Sequence, residues 1–123
     1  MDIENRVTVG EVMSTPLETI SANASVKAAA ELMADLNING LFVPGASAGI
    51  VTTSDVVEAI AEGSDPEAVT VGDVMTAPVE RITTEEQLAE AAAMMTNFGF
   101  KHLPVVDTDG DYVGMVSTTD ITS

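Results

Sequence analysis

The sequence predicts an α+β fold made of two copies of one unit that reads strand, helix, strand, strand, helix. Three observations carry that reading: an internal repeat, two amphipathic helical stripes at the same offset, and a hairpin after each stripe. The repeat is direct. Val9-Gly10-Glu11-Val12-Met13-Ser14-Thr15-Pro16-Leu17-Glu18-Thr19-Ile20 returns 62 residues later as Val71-Gly72-Asp73-Val74-Met75-Thr76-Ala77-Pro78-Val79-Glu80-Arg81-Ile82, with seven of twelve positions identical.

Each copy opens on a strand, around Pro16 to Ile20 and Pro78 to Ile82. At the same offset Val26, Ala29, Ala30, Met33 and Leu36 align with Leu88, Ala91, Ala92, Met95 and Phe98. Both sets follow i, i+3, i+4, i+7 spacing, the apolar stripe of a helix packed on one face. Helices are predicted over about 24–36 and about 85–97. Asn23 reads as the N-cap of the first, and Thr84 with Gln87 as a capping box for the second. In the second copy, Leu103-Pro104-Val105-Val106 and Tyr112-Val113-Gly114-Met115-Val116 flank Asp109-Gly110, a tight-turn signal. In the first, Leu41-Phe42-Val43 and Gly49-Ile50-Val51 flank the small-residue loop Pro44 to Ala48. A last helix from Asp55 to about Ala61 ends near Gly63. The first copy therefore occupies 7–63, a linker 64–70 and the second copy 71–123, whose final helix is cut short before it forms.

Composition narrows the function. Twenty Asp and Glu against four Lys and Arg give a net charge of −16, spread along the chain, so nucleic acid is an unsuitable partner. Such a surface resembles those of salt-adapted proteins, in which screening offsets self-repulsion. There is no Cys, and no stretch approaches about 18 apolar residues. Met1 to Arg6 lack a signal-peptide core, so a cytoplasmic location off the membrane is expected. No nucleophile, base and orienting group stand together as a catalytic set, and neither a metal nor a required cofactor is expected. Asp107, Asp109 and Asp111 alternate like a calcium loop, but position twelve is Thr118 and the glycine comes at position four, so a hairpin turn is expected. Gly45 to Gly49 lacks the Lys and Thr/Ser of a phosphate loop. Six of the seven methionines (Met13, Met33, Met75, Met94, Met95 and Met115) fall at repeat-equivalent or stripe positions and read as core filling, a soft surface that also suits an adenine.

Val-Met-Ser/Thr-x-Pro before a helix, a Leu-Pro-Val-Val-Asp-like strand, a turn, and Gly-hydrophobic-x-Thr/Ser-x-x-Asp together resemble the cystathionine-β-synthase (CBS) domain, present twice from about Val9 to Ile121. The resemblance implies a βαββα fold per copy, the two packed about a pseudo-twofold axis with clefts between them. It also implies a non-catalytic regulatory module for an adenosine-containing ligand such as AMP, ADP, ATP or S-adenosylmethionine. Such modules commonly pair as homodimers and pass ligand binding on to a regulated protein. The nucleotide signature falls at Gly49-Ile50-Val51-Thr52-Thr53-Ser54-Asp55 and Gly114-Met115-Val116-Ser117-Thr118-Thr119-Asp120.

By that resemblance Asp55 and Asp120 take the ribose hydroxyls, while Thr52, Thr53, Ser117 and Thr118 face phosphate. Ile20, Ile38, Asn39, Pro78, Glu80, Phe100 and Lys101 lie in the segments set against the adenine and phosphates. The competing reading of the signature is helix capping, which favours the same residue types. Arg81 and Lys101 stand where the first copy has Thr19 and Asn39; a solvated surface cation is the competing reading for both, and an ordinary partly buried residue for His102. The alternative function is a dimerisation module without ligand.

Overall fold

The computed structural model describes residues 7–122, which form six helices and five strands, and Met1 to Arg6 and Ser123 lie outside the described residues. The chain divides into two compact units, Glu18–Val79 and the described part of Met1–Leu17 with Glu80–Ser123. The sequence repeats and the units cut the chain at different places because the leading segment of each copy packs with the other copy's hairpin.

In the continuous unit, α2 (Val26–Leu36) buries Val26, Ala29 and Met33. Its cap is Ser25 rather than Asn23: the Ser25 hydroxyl accepts from the Ala28 amide at 3.0 Å, while the Asn23 amide is turned to the Ser21 hydroxyl. Asn37 ends the helix with φ 55°, a left-handed conformation that Asn tolerates. The hairpin of β1 (Gly40–Val43) and β2 (Gly49–Thr52) follows, and then α3 (Thr53–Ala61). Leu41, Val43 and Val51 of the hairpin close on α2, on Val56 of α3 and on Val71 of a one-turn helix α4 (Val71–Val74). Each side chain buried this fully contributes about 1.5–3 kcal/mol. The stretch 64–70 is a hydrogen-bonded turn: Ala68 and Val69 amides donate to the Asp65 carbonyl, and the Val69 carbonyl accepts from Val26 at 2.9 Å.

The split unit repeats the plan. A one-turn helix α1 (Val9–Val12) is followed, across the intervening unit, by β3 (Ile82–Thr83), α5 (Leu88–Phe98), β4 (His102–Val106), β5 (Tyr112–Ser117) and α6 (Thr118–Thr122). β3 runs parallel to β4, and β4 antiparallel to β5. The opening strand is reduced in both copies, to two residues here and to a single parallel Thr19–Phe42 bridge in the other unit. Thr84 is not the cap of α5, which begins after Gln87, because its amide donates to the Val106 carbonyl at 3.0 Å in the sheet. Gly99 ends α5 with φ 74°. A final helix does form in the second copy: α6 starts directly from β5 and has five residues against nine in α3.

The exchange of leading segments is explicit in the hydrogen bonds. Ser14 and Met115 exchange amide-to-carbonyl bonds at 2.8 and 3.0 Å, and Thr76 and Ile50 do so at 3.0 and 3.0 Å. This close crossing requires glycine on the strand beneath. A Cβ on Gly114 would stand 2.7 Å from the Ser14 carbonyl oxygen, and one on Gly49 2.7 Å from that of Thr76.

Candidate functional site

The two predicted signatures sit at equivalent strand-to-helix junctions, one in each unit. β2 runs through buried Gly49, Ile50 and Val51 and delivers Thr52 as the N-cap of α3. The Thr52 amide donates to Asp55 Oδ2 at 2.8 Å and its hydroxyl to the same oxygen at 3.0 Å, while the Asp55 amide lies 3.3 Å from that hydroxyl. At the end of β5, Ser117 places its amide 2.8 Å and its hydroxyl 3.2 Å from Asp120 Oδ2. Asp120 therefore has the helical element that orients it, contrary to the expectation from a missing helix.

The capping reading of these residues is realised, and it is also used elsewhere. Thr8 with Glu11 and Thr70 with Asp73 form the same reciprocal box at α1 and α4. The environments differ: those two boxes are exposed, whereas the signature pairs are half-buried. In the Asp55 box the bonds to the carboxylate land on Oδ2. At the exposed Glu11, the Thr8 amide and then its hydroxyl hold the carboxyl below the usual carboxylate range, since both bonds favour the ionised form.

The neighbouring predicted residues repeat as well. The Thr53 amide donates to the Asn39 carbonyl at 3.1 Å, and the Thr118 amide to the Lys101 carbonyl at 3.1 Å, so positions 39 and 101 are fastened to their signatures in the same way. Both side chains are exposed. Ile38, Asn39 and Thr53 line a cleft of about 310 Å³ in the continuous unit with Met33, Asn37 and Val56, while Thr52, Asp55 and Ile20 lie outside its lining. Ile20 packs on the core of that unit and Phe100 on that of the other. Pro78 and Glu80 are exposed, and the unit boundary falls between them. Met33 was legible only as a stripe position; that it lines a cleft with Val56 follows from where α2 ends against the start of α3.

The other polar features resolve locally. Asp107 Oδ1 accepts from the Asp109 and Asp111 amides at 2.9 Å each, which makes the acidic run a hairpin turn with Gly110 at φ 86°. Lys27 pairs with Glu67 at 2.9 Å on the surface. Among the described residues no three His, Asp or Glu side chains gather as metal ligands, and no helix is long and apolar enough to cross a membrane.

Two hairpins, each running into a boxed helix start and clamped by a segment from the other repeat, define a tandem repeat module. The chain belongs to the CBS domain family, whose model matches residues 9–62 and 71–123. It is 32% identical over 118 residues to the homoserine O-acetyltransferase of Methanococcus vannielii, covering 94% of this chain but only 24% of that enzyme. A CBS domain pair solved in complex with 5′-methylthioadenosine and S-adenosyl-L-methionine is 28% identical, with a TM-score of 0.82 and coverage of 94% and 93%. CBSX2 in complex with AMP is 27% identical, with a TM-score of 0.71 and the same coverage.

Proposed function

We propose that the chain is a non-catalytic regulatory module that binds an adenosine-containing ligand and passes the binding on to a partner protein. The observation that carries this reading is the half-buried Thr/Ser-x-x-Asp box at the end of Gly49–Thr52 and again at the end of Tyr112–Ser117. At Asp55 a carboxylate held through Oδ2 can offer Oδ1 to the two ribose hydroxyls. The adenosine ligands of similar CBS pairs support the reading. So does the restriction of the enzyme match to a quarter of that enzyme's length. Calorimetry with AMP, ATP and S-adenosylmethionine on the parent, Asp55→Ala and Asp120→Ala tests it. Losing a hydrogen bond to a charged group costs about 1.5–3 kcal/mol, so each variant should lose its own site by roughly tenfold or more. No heat with any of the three ligands would reject the proposal.

The second reading, homodimerisation, is favoured by the apolar residues that the helices expose. On α3, Val57 is 64% exposed and Ile60 56%. We assign these to a pairing surface between two copies, compatible with ligand binding. Light scattering should give a dimer for the parent and a monomer for Val57→Asp with Ile60→Asp; a monomeric parent would remove this assignment.

A further inference from the structure

We infer that the two signatures select different adenosine ligands by charge: the one at Ser117 and Asp120 takes a 5′-phosphorylated ligand, and the one at Thr52 and Asp55 an uncharged or cationic one. The inference rests on the proposed function and assigns a ligand class to each of its sites.

Positions 39 and 101 distinguish the two signatures. Their carbonyls accept from the amides of Thr53 and Thr118 at the same 3.1 Å, so their side chains leave the backbone beside equivalent points of the two signatures. One side chain is the neutral amide of Asn39 and the other the ammonium of Lys101, both exposed and free to reach a ligand. A lysine side chain carries three donors on a flexible stem, which suits a phosphate without fixed geometry.

Nothing in the continuous unit replaces that charge. Lys27 is the only Lys or Arg between Glu18 and Val79. It lies in the first turn of α2, paired with Glu67 at 2.9 Å, whereas Asn37 to Asn39 follow the opposite end of that helix. Ten residues of α-helical rise, about 15 Å, separate the two ends, well beyond the screening length of about 8 Å at physiological salt. α3, which starts from this signature, carries Asp55 and Glu58, is capped by Glu62 and holds no cation. A dianionic phosphate brought there meets the carboxylates of α3 with no countercharge from its own unit, while a thioether or sulfonium at the same 5′ position meets no such repulsion. In the split unit the cation is fastened to the signature itself.

AMP and 5′-methylthioadenosine separate these cases because they share adenosine and differ at the 5′ substituent. Calorimetry with both ligands would be run on the parent, Lys101→Asn, Asn39→Lys, Arg81→Thr, Asp55→Ala and Asp120→Ala. Positions 39, 81 and 101 are exposed, so these substitutions leave the cores untouched. AMP binding should depend on Asp120 and weaken about tenfold or more in Lys101→Asn, with 5′-methylthioadenosine binding unchanged. Asn39→Lys should add AMP binding at the Asp55 signature, and Arg81→Thr should leave both ligands as in the parent. AMP binding that follows Asp55 or Arg81, or a Lys101→Asn variant that changes both ligands alike, would overturn the inference while leaving the proposed function standing. Binding of neither ligand to the parent would remove the inference, and the proposed function would fall with it only if ATP and S-adenosylmethionine also gave no heat.

Discussion

Replacing Gly49 by alanine adds one methyl group at the tightest crossing in the continuous unit. The new carbon would lie 2.7 Å from the Thr76 carbonyl oxygen, 3.0 Å from Met75 Sδ and 3.1 Å from Ala77 Cβ, against about 3.5–4.0 Å for relaxed contacts between carbons. The methionine can turn aside, but the oxygen cannot, because it accepts from the Ile50 amide at 3.0 Å in a reciprocal pair. Moving it gives up two backbone hydrogen bonds worth about 0.5–1.5 kcal/mol each. Squeezing the strands apart adds about 1–3 kcal/mol. Reduced freedom of the unfolded chain returns only about 0.4–1 kcal/mol. A net loss of about 3 kcal/mol follows, which lowers Tm by roughly 12 °C for a chain of this size. Differential scanning calorimetry of Gly49→Ala measures it, with Gly114→Ala as the companion at the Ser14 crossing, where the corresponding distance is also 2.7 Å. An unchanged or raised Tm in both would refute the reasoning that these glycines exist to admit the crossing segment.

The Glu11 box predicts a pH effect: its carboxyl is held low by Thr8, so its stabilisation is complete above the unfolded-state value and disappears as pH falls through the lower folded-state value. Glu11→Gln should therefore be less stable than the parent above about pH 5 and converge with it at strongly acid pH, as followed by thermal unfolding across that range; curves that stay parallel would contradict it. The net charge of −16 predicts that Tm rises between about 0.1 and 2 M KCl, and a flat or falling curve would count against salt adaptation.

The repeat, the long helices and the hairpins were legible because each is written in local pattern: the stripe through Val26, Ala29 and Met33 is the face that α2 buries, and Asp109-Gly110 sits in the turn of the second hairpin. Helix starts were less so. Asn23 and Thr84 have good capping chemistry, but tertiary partners decide which residue caps: the Val26 amide is taken by Val69, and the Thr84 amide by the sheet. The one-turn helices α1 and α4 went unread although Thr8-x-x-Glu11 and Thr70-x-x-Asp73 carry the capping-box signal in plain view. At the signatures the sequence named the residues and both of their uses, and the geometry supplied the matching placement of Asn39 and Lys101. The crossing of Ser14 onto Met115 and of Thr76 onto Ile50 was not legible, because pairing between distant segments leaves no periodic trace in either.

That crossing also orders events during synthesis. Chains emerge N-terminus first and fold as their parts become available. The unit Glu18–Val79 has every one of its strands and helices once Val79 has been made. The segment carrying Val9 to Ser14 is made earlier, yet its partners Thr84, Glu86 and Met115 all come after Val79, so it waits while a complete unit forms behind it. Closing the longer loop costs little extra, about 0.6 kcal/mol per doubling of length, but contacts so distant in sequence form slowly. A stretch made before the unit Glu18–Val79 is thus built in after it, and its apolar residues Val9 and Val12 spend that interval without the core they pack into.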